Sequence, residues 1–176
     1  MGKGFRKSLD IITDGLNFKK IYFKSGTKVF DWKIPKEWNI IDAYISDFNN
    51  KKFCEFKKNN LHIVSYSKPI NKIFNLKELK KNLYYLKKLP NAIPYVTSYY
   101  KKRWGFCIKY REFKKLKTGK YKVFINSKFT NGNLVIGEKL IKGKSKKEIL
   151  FSSYLCHPSM ANNELSGPIV LREICK

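Results

Sequence analysis

Apolar residues recur at helical spacing in two stretches of the chain. The first stretch consists of Phe5, Leu9, Ile12 and Leu16, and Gly15 lies near its end as a helix stop signal. The second consists of Leu76, Leu79, Leu83 and Leu86. Asn75 is a suitable N-cap for this second stretch, and Pro90 follows it. The pattern therefore predicts a short amphipathic helix near the start and another over about residues 75–89.

Most other apolar residues lie in short runs rich in β-branched and aromatic side chains, which favour β-strands. The runs cover residues 19–23, 29–32, 38–41, 43–45, 61–64, 95–100, 106–108, 121–125 and 134–136. Asn131-Gly132 separates the last two runs and predicts a hairpin turn. Residues 149–156 are almost continuously apolar, which is typical of a strand buried on both faces.

These elements predict a three-part organisation. Residues 28–143 form a β-rich domain that contains one helix, and a polar stretch at 143–147 ends it. A second, α/β structure is formed by residues 1–27 and 144–176. The first range is predicted to hold a helix and a strand, and the second a strand, a loop and the start of a helix at 169–174. The predicted fold class is α/β, with α+β character in this chain.

The large positive charge of the chain is weak evidence for a nucleic acid-binding function. The 176 residues carry 38 Lys and Arg against 13 Asp and Glu, for a net charge of +25. Such a charge attracts nucleic acid phosphates. However, 34 of the 38 basic residues are lysine and only three residues are alanine. This bias is typical of proteins encoded by AT-rich genomes, whatever their fold. We therefore expect surface charge rather than specific nucleic acid binding. The 43% hydrophobic content excludes a disordered tail.

The cysteines and the start of the chain predict a cytoplasmic protein. Cys54, Cys107, Cys156 and Cys175 form no C-x-x-C pair, so reduced thiols are expected rather than disulfides. With only two histidines, the chain lacks a self-contained Cys/His zinc cluster of normal spacing. We see no secretory signal and no apolar window long enough for a membrane span.

The loop at residues 156–168 is the best candidate for chemistry. It follows the predicted buried strand and precedes the predicted helix, where α/β sheets bind ligands. His157 is placed there to hold a metal ion or an anion. An alternative stays open from the residues alone: Asn163 or Glu164 caps the helix, and His157 hydrogen-bonds the loop. The other histidine, His62, is expected to be a packing or surface residue.

Aromatic residues offer a second candidate site. Trp38, Tyr99, Tyr100 and Trp104 are candidates for a surface that stacks on sugars or on a protein partner. In a β-rich domain, such residues also serve as core and cross-strand pairs, so both interpretations stay open.

The loop sequence CHPSMANNELSGP at 156–168 resembles the metal loop of a bacterial aminopeptidase-like family that often occurs in polysaccharide-biosynthesis clusters. Further similarity lies in 29–40, 92–100 and 103–107, in the same order. The resemblance implies a domain of unknown function inserted near the start of a zinc-aminopeptidase-like α/β scaffold, of which this chain resembles an N-terminal fragment.

The resemblance also implies a chemistry, in which two zinc ions activate a bridging water. His157 matches the first metal ligand, and Asn163 stands where the family has a bridging Asp. Ser159 occupies the place of an Asp that orients the ligand His in zinc aminopeptidases. Glu164, adjacent to the bridging position, is a candidate substitute for the missing carboxylate, although a one-residue shift at a helix start is expected to direct its side chain elsewhere.

Three functional hypotheses follow. The first is the N-terminal part of a zinc metallohydrolase acting on peptides or similar small amides, inactive alone because the other ligands and the general base would lie downstream. The second is a stand-alone β-rich binding module for a glycan or a protein. The weakest is non-specific nucleic acid binding through lysines.

Overall fold

A computed structural model describes residues 1–98 and 101–176. Its helices are α1 (Lys3–Thr13), α2 (Leu76–Lys80), α3 (Tyr110–Phe113) and α4 (Ala161–Ile174), with a 3-10 turn at Asn60–His62. Its strands are β1 (Lys19–Lys24), β2 (Lys28–Val29), β3 (Trp32–Lys33), β4 (Glu37–Ser46), β5 (Lys52–Phe53), β6 (Ile70–Asn75), β7 (Leu83–Tyr84), β8 (Phe106–Cys107), β9 (Lys120–Thr130) and β10 (Asn133–Glu138). The fold is mixed α/β, as the sequence predicts.

The chain forms two compact units, residues 40–128 and residues 1–39 with 129–176. The sequence-based boundaries near 28 and 143 lie outside the first of these units, and the placement of the domain boundaries stays a prediction.

The unit at 40–128 is organised by a four-stranded sheet in the order β5-β4-β9-β6. Strands β6 and β9 are antiparallel, with Ile70 opposite Ile125 and Phe74 opposite Tyr121. In β9, Tyr121, Val123, Ile125 and Ser127 are buried in alternation, as expected for a sheet with one covered face. The core consists of Ala43, Ile45, Cys54, Ile63, Val64, Leu79, Leu83, Trp104, Phe106, Cys107, Ile108, Tyr121, Val123 and Ile125.

In the unit formed by 1–39 and 129–176, strand β1 pairs antiparallel with β10, and β2 with β3. The apolar side of α1 buries Leu9, and Arg6 on the same helix forms a bidentate ion pair with the buried Glu37. The Glu37 carboxylate also accepts the Asn133 N–H at 3.0 Å. The Arg172 guanidinium of α4 donates to the Ile12 carbonyl of α1. These contacts hold both helices and the start of β10 together.

The predicted helix at 75–89 is wrong beyond its first turn. Asn75 caps α2 as expected and forms a reciprocal capping box with Glu78. The helix nevertheless ends at Lys80, because Leu83 is buried as part of β7 and pairs with Phe106. Leu86, the last residue of the leucine pattern, is exposed. Tertiary pairing thus outweighs the helical spacing of the leucines.

Three β predictions also need correction. Residues 61–64 begin in the 3-10 turn, because the Asn59 side chain accepts the Leu61 N–H at 2.9 Å and caps it. Residues 29–32 are not one strand but the turn between β2 and β3. Asn131-Gly132 does not close a hairpin, because β10 pairs with β1 while β9 lies between β4 and β6.

The buried strand predicted at 149–156 is wrong as well. These residues have no regular secondary structure, and Ile149, Leu150, Phe151 and Tyr154 are exposed. A strand needs hydrogen-bonded neighbours, and none of the described strands pairs with this segment. The apolar run is therefore an irregular segment whose large side chains are exposed.

Candidate metal centre

The loop after residue 156 is shaped by a tight turn and by the early start of α4. Ser159 adopts a positive φ of 61°, which non-glycine residues seldom do, in the turn between His157 and the helix. Helix α4 then begins at Ala161, well before the predicted start at 169. Its N-cap is Met160, so neither Asn163 nor Glu164 is the capping residue. Both lie in the first turns of the helix instead.

Helix geometry explains why Glu164 reaches the loop. Side chains on a helix are tilted toward its N-terminus, so a residue in the first turn extends back over the segment before the helix. The Glu164 carboxylate is 4% exposed and contacts Nδ1 of His157 through Oε1. Its Oε2 accepts the backbone N–H of Cys156. The expectation that a one-residue shift directs Glu164 elsewhere is therefore wrong.

Asn163 and Cys156 complete the cluster. The Asn163 amide Nδ2 lies 2.8 Å from Glu164 Oε1 and 3.1 Å from His157 Nδ1, and its Oδ1 accepts the Tyr154 hydroxyl at 3.3 Å. The Cys156 Sγ lies 3.3 Å from His157 Nδ1. The structure thus brings the two sequence-predicted residues, His157 and Asn163, together. Metal binding by His157 and Asn163 stays a prediction.

The electrostatics favour an ionised Glu164 and a protonated Cys156. Burial alone would raise the pKa of Glu164, but hydrogen bonds from the Cys156 and His157 backbone and from the His157 ring hold that pKa below its ordinary value. Burial, followed by the nearby Glu164 charge, raises the pKa of the Cys156 thiol to about 11. At neutral pH the cluster therefore combines the Glu164 carboxylate and the Cys156 thiol with the His157 ring and the Asn163 amide.

The donor set is compatible with zinc. Single ligand atoms of Cys156, His157 and Glu164 all lie within 4.8 Å of one another. Zinc binds imidazole nitrogen, carboxylate oxygen and thiolate sulfur. The Cys156 thiol would first have to lose its proton, and the Glu164 oxygens already contact the His157 ring and the Cys156 N–H. His157 is therefore the best donor of the three.

Of the four residues of the candidate aromatic surface, the structure describes Trp38 and Trp104. Trp104 is buried, with its ring centroid 5.1 Å from that of Phe74, so it lies in the core of the unit at 40–128. Trp38 is half-buried in β4, and Tyr99 and Tyr100 lie outside the described residues. The remaining histidine, His62, is partly buried, with Nδ1 2.8 Å from the Cys107 carbonyl oxygen. This matches the expected packing role.

A family comparison identifies the unit that contains the sheet. The profile of a family described as "Domain of unknown function (DUF2172)" matches residues 37–128, more than half of the chain. The chain belongs to this family. The matched residues nearly coincide with the compact unit at 40–128.

Similarity to longer proteins extends over almost the whole chain. A Clostridium acetobutylicum protein named "Putative polysaccharide biosynthesis protein with aminopeptidase-like domain" is 46% identical over 175 residues, covering 99% of this chain and 40% of the relative. A crystal structure described as a "putative peptidase" from the same organism is also 46% identical. It covers 97% of this chain and 40% of that chain, with a TM-score of 0.92. The resemblance to aminopeptidase-like proteins is thereby confirmed, and the chain spans 40% of the relatives' length.

Among the described residues, the helices lack the length and apolar content needed to cross a membrane.

Proposed function

We propose that this chain supplies a metal ligand, His157, to the centre of a zinc-dependent, peptidase-like hydrolase whose substrates are peptides or similar small amides. The observation that carries the proposal is the contact between the His157 imidazole and the buried Glu164 carboxylate at the start of α4. The names of the two relatives support the reaction class. The first name also supports a role in polysaccharide biosynthesis.

Each residue of the cluster has a proposed task. His157 would bind zinc, Glu164 would hold the imidazole in place, and Asn163 would donate an amide hydrogen to Glu164. Asn163 brings no charge, so as a bridge between two zinc ions it would be poorer than the Asp that the family resemblance implies. A bound zinc ion lowers the pKa of a coordinated water and polarises a substrate carbonyl.

We propose that hydrolysis belongs to longer proteins of this kind and not to this chain alone. The described residues contain one cluster that fits a single metal ion. A pair of zinc ions needs further carboxylates and histidines. We also propose a cytoplasmic location, because all four cysteines are free thiols and two of them are buried.

A chimera tests the proposed function. The matched 40% of the Clostridium acetobutylicum relative would be replaced by this chain, and amino acid release from dipeptides and aminoacyl amides would be measured with zinc. We expect the chimera to keep the relative's activity and to lose it with a chelator or with His157→Ala. The His62→Gln variant is the matched control and should stay active. Full activity of the His157→Ala chimera, or no hydrolysis by the relative itself, would contradict the proposal.

A further inference from the structure

Several donors fix the Glu164 carboxylate beside His157. They include the backbone N–H groups of Cys156 and His157, the Asn163 amide at 2.8 Å and the His157 ring. Because the side chain is 5% exposed, water cannot compete freely for its oxygens. The carboxylate is thus a fixed acceptor rather than a mobile surface group.

The contact between Glu164 Oε1 and His157 Nδ1 decides where the imidazole proton lies. An ionised carboxylate can only accept hydrogen bonds. Without a proton on Nδ1, two lone pairs would face each other across this contact. The proton therefore lies on Nδ1, and the lone pair of the neutral ring lies on Nε2.

The Asn163 amide does not reverse this assignment. Its Nδ2 lies nearer to Glu164 Oε1, at 2.8 Å, than to His157 Nδ1, at 3.1 Å. A charged carboxylate is also the stronger acceptor. The amide hydrogen is therefore used by Glu164 and strengthens its hold on the ring.

We infer that Glu164 is the positioning residue of His157: it keeps the proton on Nδ1 and so makes Nε2 the metal-binding atom. The family resemblance implies an Asp that orients the ligand histidine, and this chain has Ser159 at that position. Glu164 would take over the orienting role of that Asp. A partner of this kind fixes the ring and raises the basicity of the ligand nitrogen. The metal-binding half of this inference rests on the proposed function, whereas the tautomer does not.

The tautomer can be measured directly, because the chain has only two histidines. Long-range proton–nitrogen NMR at about pH 8, above the ordinary His pKa of about 6.5, distinguishes the two ring nitrogens. We expect both histidines to carry the proton on Nδ1. His62 is the internal reference, because its Nδ1 faces a carbonyl oxygen that can only accept.

Two substitutions of Glu164 separate positioning from general stability. In Glu164→Ala and Glu164→Gln, we expect the His157 signals to shift toward the Nε2–H form while those of His62 stay unchanged. Glu173→Gln is the matched control, an exposed carboxylate on the same helix that contacts Lys176. Unchanged His62 signals show that the unit at 40–128 stays folded in the variants, and backbone amide spectra compared with those of Glu173→Gln check the unit that carries Glu164. An Nε2 proton on His157 in the original chain, or the same tautomer in all variants, would overturn the inference.

Zinc affinity provides the second readout. Loss of a partner that orients a metal-binding histidine weakens metal affinity by about 10–100-fold, and we expect this weakening for Glu164→Gln but not for Glu173→Gln. Equal zinc affinity for the original chain and Glu164→Gln would overturn the metal half of the inference. Absence of zinc binding by the original chain would contradict the proposed function, and the NMR result would still decide the role of Glu164.

Discussion

The backbone of Gly132 lies directly against the side chain of Glu37. A methyl group on the Gly132 α-carbon would stand 2.5 Å from Glu37 Cγ, well inside van der Waals contact. Glu37 cannot easily move away, because Arg6 and the Asn133 N–H both hold its carboxylate. Glycine at this position is therefore required by the close approach and not by a positive φ.

Replacement of Gly132 by alanine should destabilise the protein. The added methyl group would displace the Glu37 side chain or shift the backbone, and we expect a loss of about 1–3 kcal/mol in the free energy of unfolding. Urea denaturation provides the measurement. Gly143→Ala is the control, because nothing lies within 4 Å of its new methyl group. A loss equal to that of the control would show that the contact imposes no strain.

The pH dependence of stability should report the Glu37–Arg6 ion pair. The hydrogen-bonded Arg6 guanidinium, together with the Asn133 N–H, outweighs burial and holds the pKa of Glu37 below its ordinary value of 4.5. The ion pair therefore stabilises the fold fully above that value and loses this effect as the pH falls through the lower, folded-state pKa. We expect Glu37→Gln to cost about 1–3 kcal/mol at pH 7 and progressively less below about pH 4.

The control for this measurement is Glu138→Gln, an exposed carboxylate on β10. Its effect should stay within about 0.5 kcal/mol at pH 7. A Glu37→Gln deficit that persisted undiminished at low pH would contradict the assigned role of the ion pair.

Asn163→Asp should make the metal-free protein less stable and more responsive to zinc. The new carboxylate would face Glu164, whose oxygen now receives the Asn163 amide at 2.8 Å, and we expect a loss on the order of 1 kcal/mol. Zinc would relieve this repulsion, so the rise in Tm with zinc should exceed that of the original chain. Asn162→Asp, one residue earlier and exposed, should show neither effect. Equal zinc responses in both variants would contradict the prediction.

The exposed apolar segment should promote self-association. Ile149, Leu150 and Phe151 are 83%, 89% and 58% exposed, and they are consecutive in the chain. Replacing all three with serine should lower the apparent mass measured by light scattering at high protein concentration. Phe30→Ser is the control, because Phe30 is also exposed but stands alone at a turn. If the triple variant and Phe30→Ser behave alike, the segment is not the cause.

Local patterns predict the elements that depend on local interactions. The spacing of Phe5, Leu9 and Ile12 correctly predicts α1, and the runs at 19–23 and 121–125 correctly predict β1 and β9. Prediction fails where distant residues decide the structure. Leu83 leaves the helical pattern to pair with Phe106, and nothing near it in sequence signals this pairing.

In the candidate site, too, local sequence predicts some features and tertiary structure decides the others. The loop sequence is sufficient to select His157 and Asn163, but not to place Glu164, because its reach depends on where α4 begins. A helix start at Ala161 turns Glu164 back toward His157, whereas the predicted start at 169 leaves it in a loop. The signal that was missed is the carboxylate in the first turn, a favoured position near the positive end of the helix dipole.

Zinc binding by this chain tests the central claim most directly. Equilibrium dialysis against zinc would be carried out with the original chain, His157→Ala and His62→Gln. We predict one bound zinc per chain for the original and for His62→Gln, and at least a roughly 10-fold weaker affinity for His157→Ala. Undiminished zinc binding by a folded His157→Ala variant would place the metal elsewhere and contradict the account.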